Sequence, residues 1–436
     1  MPFTKPQLII FGFIVLVIII LGLMFSCTIP GIRSCAETTE KITTTISLWE
    51  VDGKDSNFTG VKNYFKVYYP GVQITYRSFE TWEEYERMLL DALATGTGPD
   101  IFAISNRSLP RQITKINPLP KEKFSILDLR NLFPQVVEQD FSSGGVVYAL
   151  PASIDTLSLV YNRDLLDQAL VEVPKNWEEF KVAVSNLSII KDGKKIERAG
   201  ASMGGTVKTI ANAPDILSLL MLQTGTEMIS SNFKSARFGS SEGADALRFY
   251  TSFANASDDA YTWNDTMPSA IDAFSSESSA MIFEYHSGIK NITERNAFLN
   301  IGIAPVPQPK NAQKEISYAK YSGYAVSKQS KYPDVAWDFI LYLTAIEKNT
   351  KQYAEVSGKI SAFKSLLINT YSSDPELGTF AKQALTARSW PQIDETLISG
   401  IFSNMIDVVI SNQKDIQDAI QSAQDEVTRL ISKTVL

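Results

Sequence analysis

Strand-like and helix-like segments alternate from residue 46 to residue 105, and this alternation constrains the architecture more than any other feature of the chain. Residues 46–48 lead into Trp49, Glu50, Val51, Asp52, Gly53 and Lys54, a strand that ends in polar groups and a glycine. Residues 58–69 place Phe58, Val61, Phe65 and Tyr68 at helical spacing and stop at Pro70 and Gly71. A second strand, 72–76, precedes an amphipathic helix over 85–94, and residues 100–105, rich in Ile and Phe, form a third strand. Strand and helix in this order join parallel strands through helical crossovers, so the expected class is α/β. Gly96, Thr97 and Gly98 follow a helix and lack the Gly-Lys-Ser/Thr ending of a phosphate loop; they read as a helix stop and a turn.

A chain of 436 residues exceeds one small core and points to two domains or lobes. Apolar residues make up 44 % and charged residues 20 %, the balance of a globular protein. The net charge is −7 with no long Lys/Arg run, which excludes a phosphate-backbone binder and hence a nucleic-acid partner. One histidine, His286, and two cysteines, Cys27 and Cys35, leave no zinc site of the usual spacing and no His-based triad except around His286. No cofactor motif, metal-ligand set or catalytic set is expected.

Residues 8–25 are uninterrupted apolar or glycine, close to the ~20 residues a bilayer core needs. Lys5 precedes this run and Arg33, Glu37, Glu40 and Lys41 follow it, biasing the N-terminus inside and the remainder outside. Three fates stand open: a retained anchor, a lipidated Cys27 after a loose lipobox, or a cleaved signal. The length of the run favours the retained helix, and each fate puts the globular part on the outer face of the cell membrane. Residues 36–45 are polar and threonine-rich, a tether.

Further along, 146–150 and 156–161 read as strands flanking a polar corner with Ser153 and Asp155; a carboxylate there is costly to bury unpaired. Helices are expected at 177–185, 214–224, 241–253 and 333–343, loops at 191–198 and 201–207, strands at 280–286, 300–305 and 321–327, and one helical tail over 401–431. Several strand ends finish in polar or aromatic groups: Glu50, Asp52 and Lys54; Ser105 and Asn106; Asp155; Tyr285 and His286; Tyr321 and Ser322. Ligands of open α/β sheets gather outside the carboxyl ends of strands, so this series points to a binding cleft.

The chain resembles the extracellular solute-binding proteins of ABC importers, in particular the maltodextrin and sugar-binding type. The residues that carry the resemblance are 156–166 (Thr-Leu-Ser-Leu-Val-Tyr-Asn-Arg-Asp-Leu-Leu), 173–180 with Pro174, Trp177 and Phe180, the Gly-x-Gly-Pro-Asp turn at 96–100, Ala273-Phe274 with Ala280-Met281, and 322–336 ahead of Trp337. It spans roughly 46–432. It implies two discontinuous α/β lobes joined by crossing strands around a hinged cleft, preceded here by an N-terminal transmembrane helix. The implied divisions are 1–27 anchor or signal, 28–45 tether, 46–153 with 304–345 as lobe 1, and 154–303 with 346–436 as lobe 2. The first crossing falls near Ser153–Asp155 and the second near residues 304–307. The resemblance makes Asp155 an acceptor for sugar hydroxyls and brings Asp52 and Lys54 to the ligand. The family's Gly-x-Trp reads Tyr285, His286, Ser287 here, so the usual stacking tryptophan is missing; Tyr285, His286 or Trp390 are the aromatic candidates.

The expected ligand-binding set is therefore Glu50, Asp52, Lys54, Ser105, Asn106, Asp155, Tyr285, His286, Tyr321 and Trp390. The implied function is capture of a polar solute, a sugar or oligosaccharide, by a monomer that delivers it to ABC permease subunits. Two alternatives stand beside it: a ligand-presenting sensor subunit of a membrane receptor, and an exported carbohydrate hydrolase using Glu50 with Asp155 as paired carboxylates.

Overall fold

The computed structural model describes residues 42–192 and 195–434. The expected anchor and both cysteines lie outside the described residues. Among the described residues no helix is long and apolar enough to cross a membrane.

The strands that matter for the site are β1 (Thr44–Val51), β2 (Val72–Phe79), β3 (Ile101–Ser105), β4 (Ile116–Asn117), β5 (Ser158–Asn162), β6 (Met281–Glu284), β7 (Ile301–Ala304), β8 (Ser317–Tyr318), β9 (Ser322–Ser327) and β10 (Ala387–Arg388). The principal helices are α1 (Thr59–Tyr68), α2 (Trp82–Ala94), α3 (Trp177–Leu187), α4 (Ala213–Gln223), α5 (Ser241–Ser252), α6 (His286–Arg295), α7 (Pro333–Thr344), α8 (Glu347–Ser357), α9 (Glu395–Ile410) and α10 (Ile416–Thr434). The chain forms a small compact unit, which includes Phe65–Gln73, and a large one of Ile46–Tyr64 and Ile74–Leu436. In the small unit Phe65 and Tyr69 stack with centroids 4.6 Å apart.

The first sheet has the order β2-β1-β3-β9-β4. β1 runs parallel to β3, with Leu48 opposite Ile101, whereas β9 returns antiparallel, with Ser322 opposite Ser105. All five residues of β3 are buried, as befits a central strand covered on both faces. α2 forms where the sequence supplies every signal at once. Thr81 caps it by accepting from the Glu84 N–H, Glu83 and Glu84 suit the positive end, and Tyr85, Leu89, Ala92 and Leu93 form one apolar stripe. The Tyr85 hydroxyl then donates to the Ala103 carbonyl at 2.7 Å, pinning helix to sheet.

The second sheet, β6-β5-β7, is antiparallel throughout, not parallel as strand–helix alternation implies. β5, wholly buried, is its centre. Behind it Trp177, Phe180, Phe249, Phe253 and Phe283 meet ring to ring at 5.2–5.7 Å. α4 is buried from Ala213 to Met221, and α9 and α10 complete this side.

Three crossing segments lie side by side. The Ile154 N–H donates to the Ile360 carbonyl at 2.9 Å, the Leu157 N–H to Tyr318 at 2.9 Å, and the Lys320 N–H to Asp155 at 3.0 Å. Four expectations change. Of 146–150 only Val146–Val147 pairs as a strand, in a hairpin with Ser142–Ser143, because Leu150 makes a single bridge to Tyr324 before Pro151. Where a loop was expected at 191–198, Ile189–Lys191 and Lys195–Arg198 pair as antiparallel strands. The strand at 280–286 stops at Glu284 because a helix starts at His286. The tail is two helices, broken where Asn412 takes a positive φ of 55°.

Candidate functional site

A cavity of about 510 Å³ lies over the crossing segments, with walls from both sheets. That volume falls within the range of small-molecule sites. Its first wall comes from the ends of β1 and β3 and the start of α2. Its second comes from α4, the turn between β6 and α6, and the segment running into α9. Ser153, Ile154 and Asp155 of one crossing and Gly358, Lys359 and Ile360 of another lie between them.

Of the ten residues expected at the site, Asp52, Ser105, Asp155, Tyr285, His286, Tyr321 and Trp390 line this cavity. Asp52 does so with a positive φ of 51°, a strained backbone of the kind that clusters at functional sites. The other three lie elsewhere. Glu50 is buried behind the wall, where Tyr76 and Tyr324 donate hydroxyls to its two carboxylate oxygens at 2.7 and 2.6 Å. Asn106 is buried too, donating to Asp140 at 2.9 Å while its side-chain oxygen accepts from the Tyr321 N–H at 3.1 Å. Lys54 is exposed and precedes the 3₁₀ turn Asp55–Phe58. Glu50 and Asp155 thus do not converge as a pair of carboxylates on a common space.

Asp155 has local partners of its own. Its Oδ1 accepts from the Thr156 and His286 N–H groups at 2.8 and 3.0 Å, and its Oδ2 accepts from the Ser287 N–H at 2.9 Å. Tyr285, the residue at the N-cap of α6, supplies no side-chain cap, so a carboxylate from the crossing segment caps that helix instead. Burial raises the Asp155 carboxyl, against the opposing pull of the Ser287 N–H, the His286 charge and the His286 N–H.

The strongest charges at the site were not expected from the sequence. Arg107, just beyond β3, forks onto Asp215 of α4, Nη1 to Oδ1 at 2.9 Å and Nη2 to Oδ2 at 3.4 Å. The Tyr285 hydroxyl donates to Asp215 Oδ2 at 2.9 Å, and Lys320 Nζ stands 3.8 Å from the same oxygen. Burial alone would raise the Asp215 carboxyl; Arg107 and then Lys320 outweigh it and hold the group below the usual range. Arg107 and Asp215 are buried and belong to opposite walls, so the ion pair spans the cavity. Arg111 makes a second bridge, to Glu86 of α2 at 3.0 Å and to Asp394, the cap of α9, at 3.3 Å. A signal existed in the sequence: Asp215 is the one charged residue of a largely apolar helix and needed a partner. Its partner, 108 residues away, left no local trace. Trp82 and Glu395 also line the cavity. Among the described residues no group of three or more His, Cys, Asp or Glu side chains could hold a metal ion.

Two sheets on either side of a cleft, joined by hydrogen-bonded crossing segments, define the two-lobed α/β fold class. The chain belongs to the bacterial extracellular solute-binding protein family, whose model matches residues 61–379. It is similar to the galactooligosaccharide-binding protein of Bacillus subtilis (25 % identity, covering 70 % of this chain and 69 % of the relative). It is also similar to the maltotriose-binding protein of Pyrococcus abyssi (21 % identity, 85 % and 79 %). Its fold matches the crystal structure of the cyclic α-maltosyl-1,6-maltose binding protein of Arthrobacter globiformis at a TM-score of 0.74, with 16 % identity over 90 % of this chain and all of that one.

Proposed function

We propose that this chain captures a carbohydrate in the cavity over the crossing segments, by closure of its two lobes, and delivers it to the permease subunits of an ABC transporter. The observation that carries the reading is the cavity itself. It offers hydroxyl, carboxylate and cationic groups for sugar hydroxyls together with the aromatic rings of Trp82, Tyr285, Tyr321 and Trp390 for apolar sugar faces. The names of the similar proteins, which bind galactooligosaccharide, maltotriose and a cyclic maltosyl-maltose, support the same ligand class. In this reading Asp52, Ser105, Asp155, Tyr285, His286, Tyr321 and Trp390 touch ligand, and Glu50 and Asn106 hold the wall from behind.

Lobe 1 carries the first sheet and lobe 2 the second, divided as 46–153 with 304–345 and 154–303 with 346–436. The ring contact of Tyr353 with Phe58 at 5.4 Å supports shifting α8 to lobe 1, which moves the later boundary towards the crossing at Ile360. The apolar run 8–25 tethers the monomer to the outer face of the cell membrane, and the extracellular character of the family supports that placement.

The test is a thermal-shift screen of the full-length chain in a detergent without a sugar headgroup, against sugars, polyols, peptides and polyamines. A sugar at 100 times its Kd adds about 2.7 kcal/mol, and the bound sugar is recovered intact. Shifts by peptides or polyamines alone would reject the carbohydrate reading; recovery of a cleaved sugar would reject a pure binder.

A further inference from the structure

The cavity has a direction, set by the first sheet. The Asp52 N–H donates to the Phe79 carbonyl at 3.0 Å, so β1 and β2 end side by side. β3 ends beside them at Ser105, and β9 begins opposite Ser105 at Ser322. The four strand ends follow one another in the order β2, β1, β3, β9. With neighbouring strands about 4.8 Å apart, this edge measures roughly 14 Å from first to last. The lining keeps the same order: Trp82 follows β2, Asp52 follows β1, Arg107 follows β3, and Tyr321 precedes β9 next to the crossing segments. Trp82 therefore marks the end of the cavity away from the crossing.

Trp82 also stands apart among the tryptophans. Trp177, Trp263, Trp337 and Trp390 are buried and Trp49 is half-buried with the Arg77 guanidinium 4.8 Å from its ring centre, whereas Trp82 keeps 38 % of its surface exposed. Its backbone is held by the Thr81 cap, and its ring meets the Tyr85 ring edge to face at 5.4 Å and 88°. A ring fixed at one side and open to a polar cleft is a ready platform for a second apolar face. Leaving it in water forgoes about 25 cal/mol for each Å² that a ligand would cover.

We propose that Trp82 is the stacking platform for the distal ring of an oligosaccharide, and that it makes the site selective for chain length. The inference rests on the carbohydrate reading above. From bond lengths near 1.5 Å, one sugar ring with its hydroxyls spans roughly 6–7 Å. A single ring seated at the crossing segments leaves Trp82 uncovered, and three or four linked rings reach it. The tryptophan absent from residues 285–287 is thus compensated from the opposite wall.

The experiment is titration calorimetry of the full-length chain, in a detergent without a sugar headgroup, with gluco- and galacto-oligosaccharides of one to four units. Wild type binds more tightly as the chain lengthens. Trp82→Ala flattens the series, weakening the longest bound sugar about tenfold, as expected for loss of one stacked ring with its buried area, and leaving the shorter sugars unchanged. Trp82→Phe retains part of the gain, and both variants are compared at equal melting temperature. If the length dependence survives in Trp82→Ala, or wild type binds a monosaccharide best, the role of Trp82 is overturned and the carbohydrate reading stands. If wild type binds no sugar in the series, the carbohydrate reading is overturned and this inference falls with it.

Discussion

Asp140 sits where three chain segments meet, and its protonation is a matter of burial. Its carboxylate accepts from the Ser389 hydroxyl, from Asn106 Nδ2 at 2.9 Å and from the Tyr321 hydroxyl at 2.8 Å. Burial pushes the carboxyl up to about 6, more than these three donors and the nearby Arg107 charge lower it. The folded protein then holds a proton that the unfolded chain releases near pH 4. Stability contributed by that proton is fully present below about pH 4 and is lost as pH rises through 6, a change on the order of 3 kcal/mol. Asp140→Asn should remove this share of the pH dependence, read as unfolding midpoints in urea between pH 4 and 7. Glu50, Glu284 and Asp155 are raised as well and keep their own shares. An unchanged slope in the variant would show that Asp140 titrates in the ordinary carboxylate range.

At the scale of elements, α6 depends on a residue outside itself. Asp155 accepts from the first two N–H groups of a helix that starts 131 residues later, and its negative charge faces the positive helix end. Asp155→Ala should cost about 1–2 kcal/mol in the absence of ligand, the size of a lost cap, with Asp155→Asn losing less. Equal urea midpoints for wild type and Asp155→Ala would mean that α6 holds its start without the carboxylate. This dependence also marks the limit of what the sequence discloses. The apolar stripe of α2 was legible over 85–94, whereas its start at Trp82, set by the Thr81 cap, was not read. The start of α6 was not legible either, because its cap is remote and His286 carries no local start signal. The polar ends of β1, β3 and β6 were readable as a cleft edge. Ser105 and Asn106 are neighbours and face opposite ways, but Glu50 and Asp52, two residues apart, would share a face in a regular strand. They part because β1 ends at Val51 and Asp52 takes a positive φ of 51°, which no pattern in the sequence announces. The break between α9 and α10 has neither Gly nor Pro to announce it, only Asn412 in a left-handed conformation.

For the whole molecule, the two walls are bridged by charges. The Arg107–Asp215 fork is buried and escapes salt screening, whereas the half-buried Arg111 bridge contributes little by comparison. Removing one partner of a buried pair costs about 3–5 kcal/mol because the other charge is left stranded, and opening the cleft is the way to rehydrate it. Asp215→Ala should therefore raise the radius of gyration of the ligand-free protein in small-angle scattering. The same radius in variant and wild type would place the ion pair outside the balance between open and closed forms.

The three crossing segments have a mechanical consequence as well. Laced together by backbone hydrogen bonds, they act as a ribbon that flexes across its thin dimension and resists shear along its length. In the proposed closing motion, relative movement of the lobes is then confined to one soft coordinate. On the reading proposed above, such a joint would funnel binding energy spent anywhere along the cavity into a single swing, so that a contact made at its far end is felt at the joint as torque.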